Sequence, residues 1–394
     1  MVSTASLFNQ LLPHFPRTEF AALVRKHNAE RRTKGFSCWT QFVAMLFCQL
    51  SHSASLREIC NGLRCSLGKL VHLGITRSPN KSTLSYANEK RPASLFEDLF
   101  WTALGRFRSA QLLGVRRSFR FKNKLLSLDS TTISLCLSLF PWAEFKTVKG
   151  GIKAHVLLDH DDYLPSYVLI TNANYPDVKA AHLLALRPSS IVVMDLGYID
   201  YELFAKWTNS GIFFVTRLRK DLNFSVLEDR PVPKNRNILT DQTIRFASQW
   251  GQKYCPQMTF RRIVLHIDGQ EPLVFLTNHL HFGATTLADI YKQRWQIEVF
   301  FKQIKQTLQL ADFLGNSARS VRWQVWTALL VYVLLRYLAA VSQWGHSLAR
   351  LWAVVRAALW LRLDLRALLQ SYGTAGGSFR MLGAPEQAYL PGLA

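Results

Sequence analysis

Three acidic residues stand where their surroundings invite metal chemistry. Asp129 follows the apolar run KLLSL and opens DST, and Asp195 follows IVVM and opens DLGYID. Both sit where an apolar, strand-like run stops, and in an open α/β sheet ligands bind beyond such strand ends. The third acid, Glu298, lies in YKQRWQIEVFFKQIKQTLQL (residues 291–310), a lone carboxylate among Lys292, Arg294, Lys302 and Lys305. At about 100° per residue, Tyr291, Arg294, Glu298 and Lys305 fall within an arc of roughly 60° on one continuous helix. A neighbouring stripe of Ile290, Ile297, Phe301, Ile304 and Leu308 would dock on the sheet. Taken alone, Arg294 and Glu298 are an i, i+4 ion pair worth about 0.2–0.5 kcal/mol. Taken with Asp129 and Asp195, Glu298 completes an oxygen-rich cage for Mg²⁺ or Mn²⁺, hard cations that keep waters for a substrate phosphate. Without a cation three such charges would repel. Two ions roughly 3.5–4 Å apart could activate a water or 3′-hydroxyl and stabilise the leaving oxygen, which is phosphodiester chemistry.

Competing groups are weaker. Asp159, Asp161 and Asp162 in LLDHDDYLP read as an Asp-rich hairpin turn. His155, His160 and His182 are scattered and read as structural or DNA-facing. Ser130 and Thr131 lack a G-x-S-x-G elbow, which argues against a serine nucleophile.

These acids need a sheet to hold them, and the pattern supplies one. KLLSLDSTTISL reads as a strand, GIKAHVLLDHDDYLPSYVLITN as two strands around a turn, and PDVKAAHLLAL as a helix. SSIVVMDLG, DYELFAKWTNSG and IFFVTRL follow as strand, helix closing on Gly211, and strand. That order predicts a mixed central sheet covered by helices on both faces. Residues 217–285 read as a β-rich insertion, with FRRIVLHI and EPLVFLTNH flanking the hairpin signal Asp268-Gly269.

Residues 1–95 read as helical, from SLFNQLLPHF to SLREICNGLR, where Ser55 and Glu58 form a capping-box pattern. A Pro-Asn turn then leads into a polar helix ended by Pro92, and the segment reads either as a helix-turn-helix or as a solvated linker helix. In the first case Lys81, Ser82, Thr83, Ser85, Tyr86, Asn88, Lys90 and Arg91 face groove and phosphates. The apolar run WTALLVYVLLRYLAAV (326–341), interrupted by Arg336, is shorter than the roughly 20 residues that span a bilayer and reads as a buried helix. Residues 373–394 read as a loose tail.

The chain of 394 residues carries 48 Lys and Arg against 26 Asp and Glu, a net charge of +22, far beyond what solubility needs. Spread along the whole chain, including Arg116, Arg117, Arg219 and Lys220, it points to a polyanion long enough to touch several domains, as duplex DNA is. Cys38, Cys48, Cys60, Cys65, Cys136 and Cys255 form no C-x-x-C or zinc spacing and read as buried free thiols. The N-terminus has no secretory pattern, so a cytoplasmic, nucleoid-associated protein with no membrane partner is expected.

Y-x-x-R-x-x-x-E-x-x-x-x-x-x-K is met in full by Tyr291, Arg294, Glu298 and Lys305. With DST and D-x-G-Y-x-D upstream, this signature resembles the DDE transposases of the insertion-sequence-four family. The run LFNQLLPHFPRTEFAALVRKHNAERRTKGFSCWTQFVAMLFCQL is similar to the N-terminal domain carried by one group of them. The resemblance covers residues 5–340 or so, and the Arg-rich C-terminus beyond matches nothing in the family pattern. It implies a ribonuclease-H-like core in which Asp129, Asp195 and Glu298 hold two Mg²⁺ or Mn²⁺ ions, with a β-rich insertion before the last acid. It also implies that Tyr291, Arg294 and Lys305 grip phosphates near the element's end. Trp295 would stack on a displaced base or sit in the core.

The expected fold is therefore α/β: a ribonuclease-H-like mixed sheet with a β-rich insertion, preceded by an all-α domain and followed by helices. Its expected boundaries are a helical DNA-binding domain at 1–95, a basic linker at 96–120 and the core at 121–216. The insertion follows at 217–285, the core's later helices at 286–340, and an Arg-rich C-terminus at 341–394. The expected activity is cut-and-paste transposition by a homodimer on double-stranded DNA, binding terminal inverted repeats, cleaving and joining to target. The rivals are a structure-specific endonuclease of the same fold and a non-catalytic repressor descended from a transposase.

Overall fold

In the computed structural model, the residues described are 5–372 apart from 32, 34, 67–68, 111–118, 136–139, 141, 143, 147–148, 219–221, 234–236 and 308–312. Arg116, Arg117, Cys136, Arg219, Lys220, Leu308 and the expected tail at 373–394 lie outside them. The chain forms two compact units, Met1–Gly114 with Lys302–Ala394, and Val115–Phe301.

The first unit begins with α1 (Leu7–Leu11), α2 (Arg17–Lys26), α3 (Cys38–Ser51), α4 (Leu56–Arg64), α5 (Lys81–Lys90) and α6 (Ser94–Ser109). At α4 the N-cap half of the predicted capping box is present, Ser55 Oγ accepting from the Glu58 amide (3.1 Å), while the Glu58 carboxylate accepts from the amide of Ala54, one residue before the cap (2.8 Å). Residues 96–120 are expected as a basic linker, and 111–118 of them lie outside the described residues. Their first half is α6, whose Leu95, Phe96, Leu99, Phe100, Ala103, Leu104 and Phe107 are buried because they recur at helical spacing.

Among its described residues the second unit is built on ten strands. They are β1 (Leu125–Leu135), β2 (Glu144–Lys146), β3 (Lys149–Asp159), β4 (Leu164–Asn172), β5 (Ile191–Met194) and β6 (Phe213–Arg217), then β7 (Phe224–Asp229), β8 (Ile238–Phe246), β9 (Phe260–Leu265) and β10 (Leu273–Thr277). They form one sheet in the order β2-β3-β1-β5-β6-β10-β9-β8-β7, with β4 also paired to β3. β1 runs antiparallel to β3 and parallel to β5, and β5 runs parallel to β6. The expected insertion is β-rich, yet it is no separate layer: β10 pairs antiparallel with β6 and carries the sheet onward. The Asp268-Gly269 hairpin joins β9 to β10 with Leu265 opposite Leu273, and Gly269 takes the left-handed φ of +70° that the turn requires.

Among the described residues the helices of this part of the chain are α7 (Asp177–His182), α8 (Tyr201–Asn209), α9 (Gln249–Tyr254), α10 (Ala284–Lys292) and α11 (Trp295–Lys302). α8 closes at Gly211 (φ +68°), as its sequence predicts. Strand alternation assigns the faces. Leu126, Leu128, Val192 and Met194 pack with Ala181, Leu203, Phe204 and Tyr198, the side of α7 and α8. Leu125, Ile191, Val193 and Val215 pack with Ala284, Leu287, Ile290 and Tyr291, the side of α10.

The expected continuous helix over residues 291–310 is broken. From Gln293 to Ile297 the backbone makes i→i+3 hydrogen bonds, the tighter winding that separates α10 from α11, and Gln303–Thr307 widens into a π-helical turn.

α12 (Ala318–Val341), α13 (Leu348–Ala358) and α14 (Leu365–Gln370) return to the first unit. α12 is the one described helix long and apolar enough to cross a membrane, and most of it is buried against α3, α5, α6 and α13. Trp323 lies against Phe96 (ring centroids 3.7 Å) and Trp326 against Phe100 (5.4 Å). The N-terminal helices therefore share their core with the C-terminal ones rather than closing a domain at residue 95. Cys38, Cys48, Cys60 and Cys255 are buried free thiols as expected, whereas Cys65, past the end of α4, is exposed.

Candidate active site

The parallel register of β1 and β5 decides the site. Leu128 stands opposite Met194, so the next residues, Asp129 and Asp195, leave the paired region side by side. Asp129 is not at a strand end, since β1 runs on to Leu135; what stops there is burial, which falls from complete over Leu125–Leu128 to partial over Asp129–Thr132. By alternation with Leu125 and Ile191, both acids lie on the α10 side of the sheet.

Glu298 reaches the same place from α11. Arg294 links them, with Nη2 on Glu298 Oε1 (2.5 Å) and Nη1 on Asp129 Oδ2 (3.4 Å). The Ser130 amide donates to Asp129 Oδ1 (2.7 Å). Burial, reinforced by the charges of Asp195 and Glu298, pushes the Asp129 carboxyl up to about 6, although the Ser130 amide and Arg294 oppose the rise. The sequence thus brings three carboxylates and one guanidinium to one half-buried spot. Among the described residues no three His, Cys, Asp or Glu are drawn together tightly enough to hold a metal ion, and Arg294 contacts both Asp129 and Glu298. The donor set nevertheless fits a divalent cation: it is all carboxylate, and burial, with the neighbouring charges of Asp195 and Glu298 added, already makes Asp129 costly to ionise.

Tyr291 departs from expectation. It is only 8% exposed, packed on Phe275 (4.8 Å) within the α10-side core, and Arg294 lies 5.9 Å from its ring centroid. It is a shelf under Arg294 rather than a surface grip. Trp295, at the start of α11, is 62% exposed, which removes the core alternative. Lys302 is exposed, and Lys305 is half-buried on the π-helical turn; both fall in the other unit.

In the helical unit, Lys81, Ser82, Ser85 and Lys90 are exposed, Thr83 is half-buried, and Tyr86 is 64% exposed. Asn88 and Arg91, expected on that surface, are turned inward. Asn88 accepts from Gln41 (2.7 Å), and Arg91 donates to Gln41 (2.9 Å), to the Ser37 carbonyl (3.1 Å) and to the Phe36 carbonyl. The i, i+3 and i, i+4 spacing from Leu84 and Ala87 places both on the buried face of the chain there.

The remaining candidates are structural. Lys124 neutralises Asp159 (2.6 Å) and Asp161 (2.9 Å), and Asp162 caps the turn by accepting from the Leu164 amide (2.9 Å). His160 bonds Ser127 (2.7 Å), and His182 meets Asp200 (3.2 Å).

A model of the transposase DDE domain matches residues 120–334, more than half of the chain. This chain belongs to the DDE transposase family. A Sinorhizobium fredii protein named as transposase y4zB is 32% identical over 295 residues, 74% of this chain and 80% of that one. A Geobacillus stearothermophilus protein named as the transposase for insertion sequence element IS5377 is 30% identical over 226 residues, 57% of this chain and 59% of that one. The Escherichia coli transposase InsG of element IS4 is 26% identical over 155 residues, 38% of this chain and 35% of that one. Residues 3–76 match a domain of unknown function, DUF4372. The transposase is thus a DNA-cleaving and DNA-transferring enzyme of a family that uses divalent metal.

Sequence reasoning passed over Tyr198, Asp200 and Asp177. The first two stand in D-x-G-Y-x-D: Tyr198 is buried behind the acids, and Asp200 caps α8 by accepting from the Leu203 amide (2.7 Å). Asp177, at the start of α7, carries no sequence signal beyond that position.

Proposed function

We propose that this transposase excises and inserts its element by cut-and-paste chemistry, with Asp129, Asp195 and Glu298 as the catalytic carboxylates. The observation that carries this reading is the register of Leu128 with Met194, which sets two acids side by side on parallel strands, with Arg294 tying the third to the first. The order β4-β3-β1-β5-β6, antiparallel and then parallel, supports a ribonuclease-H-like core. The Tyr291, Arg294, Glu298 and Lys305 spacing supports membership of the insertion-sequence-four group.

Asp129, Asp195 and Glu298 would hold two Mg²⁺ or Mn²⁺ ions, which supply a stronger oxygen nucleophile and offset charge on the leaving oxygen. The chain's own part is to bind and orient DNA. Arg294 is a planar donor that can exchange a carboxylate for a phosphate, and Tyr291 holds it from below. Exposed Trp295 offers a face on which a displaced base can stack. Lys302 and Lys305 add phosphate affinity. Lys81, Ser82, Thr83 and Tyr86 form the terminal-repeat reader of the helical unit, while Asn88 keeps α5 in place on α3. Joining two ends requires two copies, so the working form is a homodimer on double-stranded DNA.

The test is end cleavage in Mg²⁺ by Asp129→Ala, Asp195→Ala and Glu298→Ala, with end binding measured by mobility shift. Each variant should cut at background level and bind the ends as the parent does. Undiminished cleavage by all three overturns the assignment.

A further inference from the structure

The three acids are held in different ways. The Asp129 carboxylate accepts from the Ser130 amide (2.7 Å) and meets Arg294 (3.4 Å), and Glu298 meets Arg294 (2.5 Å). Among the described residues no hydrogen bond or ion pair involves the Asp195 carboxylate. Its direction is therefore governed by its main chain, and that main chain has just left the sheet. The parallel ladder of β5 with β6 ends at Val193 opposite Val215, and Asp195 (φ −82°, ψ 171°) opens the 3-10 turn Leu196–Tyr198. Beyond the ladder two donors hold the Asp195 carbonyl: the Tyr198 amide, which closes the turn (3.2 Å), and the Thr216 hydroxyl of β6 (3.2 Å). The first belongs to any turn with i→i+3 bonding. The second comes from a side chain on the neighbouring strand.

Thr216 is wholly buried, and alternation with Phe214 puts its side chain on the α8 side of the sheet, the side lined by Met194, Phe204 and Phe214. An apolar side chain would suit that place, since a buried hydroxyl is costly unless it is hydrogen-bonded. Among the described residues the partner of this hydroxyl is the Asp195 carbonyl. The Asp195 side chain lies on the opposite, α10 side, so Thr216 acts on it only through the peptide.

We propose that Thr216 is a positioning residue for the transposase reaction: its hydroxyl fixes the Asp195 carbonyl and, through that peptide, the direction in which the Asp195 carboxylate meets a divalent cation. The held carbonyl carbon is bonded to the Cα that carries the acid, so the route is one covalent step long. Two donors from two elements, the turn and β6, pin the peptide in two directions. With the turn's bond alone, turn and acid would be free to shift together against β1, and the separation of Asp195 from Asp129 would vary. Groups one layer behind metal ligands typically change metal affinity or activity by about 10–100-fold when altered. The sheet contains a comparison of its own. Thr277 of β10 is equally buried, and its hydroxyl holds the Phe214 carbonyl in the middle of β6 (2.5 Å), a bond of the same kind with no acid attached.

The inference rests on the reading of Asp195 as a catalytic acid, and the experiment separates the two. Full-length Thr216→Val, Thr216→Ser, Thr277→Val and Asp195→Ala are compared for Mn²⁺ binding without DNA, by electron paramagnetic resonance of free Mn²⁺. The same variants are compared for Mn²⁺-dependent end cleavage, end binding and thermal melting. Thr216→Val, which keeps the branched shape and loses the hydroxyl, should need about tenfold more Mn²⁺ both to bind and to cut. Thr216→Ser keeps the hydroxyl and should stay within about threefold of the parent. Thr277→Val should melt earlier and keep the parental Mn²⁺ requirement, with end binding unchanged in all. If Thr216→Val does not fold, Thr216→Ala set against Thr216→Ser decides, because those two differ by the hydroxyl alone, and an equal Mn²⁺ requirement overturns the proposal. A parental requirement in Thr216→Val, beside an inactive Asp195→Ala, overturns the positioning role and leaves the acid's assignment standing. An equal rise in Thr277→Val also overturns it, since any loosening of the sheet would then have the same effect. An active Asp195→Ala overturns both readings together.

Discussion

Asp129 carries a local conflict between burial and ionisation. Its carboxyl titrates at about 6 in the folded protein, against 3.8 for an ordinary aspartate. Between those values the folded chain holds a proton that the unfolded chain has released, so this group's contribution to stability is complete below about 3.8 and is lost as the pH rises through about 6. At pH 7.5 the ionised acid therefore weakens the metal-free fold by something on the order of 1–3 kcal/mol. Asp129→Asn should raise the melting temperature at pH 7.5 by about 2–8 °C, and the gain should shrink as the pH is lowered toward 4, while end cleavage is lost. Scanning fluorimetry across that pH range checks it, and a lower melting temperature at pH 7.5 contradicts it. A site that is more stable without its function is what strain held for catalysis looks like.

At the scale of elements, the loop leading into α10 is anchored by one buried ion pair. Arg261 of β9 meets Asp241 of β8 through Nε (2.6 Å) and Nη2 (2.5 Å) and also donates to the Phe282 carbonyl just before α10. Both side chains are almost wholly buried, so Arg261→Ala leaves an unpaired carboxylate and should cost about 3–5 kcal/mol. Urea denaturation followed by tryptophan fluorescence should show an earlier transition, whereas an unchanged midpoint contradicts the anchoring role. Much of this architecture was legible beforehand. β1, β3 to β6 and the β9–β10 hairpin follow apolar runs and turn residues, and the acids of DST and DLGYID stand out where burial must stop. The 3-10 step at Gln293–Ile297 was not legible, because apolar spacing cannot distinguish a helix from one that tightens for a single turn. Nor was the burial of Tyr291, which depends on Phe275 and on how α10 docks. The joining of the insertion to β6 is equally nonlocal, being written in the β6–β10 ladder rather than in either strand.

For the whole molecule, the helical unit is assembled from both ends of the chain: α12 fills the core between α3, α5, α6 and α13. Neither Phe96 nor Trp323 signals the other across more than two hundred residues, which is why a domain boundary near residue 95 is the natural reading of sequence alone. A fragment of residues 1–114 should be insoluble or unfolded by circular dichroism and should become soluble and helical on co-expression with residues 302–394. A cooperatively folded lone fragment contradicts that. The central claim, that Asp129, Asp195 and Glu298 are metal-bearing catalytic acids, is tested most directly by a change of metal preference. Asp129→Cys, Asp195→Cys and Glu298→Cys replace a hard oxygen donor by a soft sulfur that suits Mn²⁺ better than Mg²⁺. End cleavage should be absent in Mg²⁺ for all three and recover in Mn²⁺ for at least one, with end binding unchanged. Parental cleavage in Mg²⁺ by the cysteine variants would contradict the account.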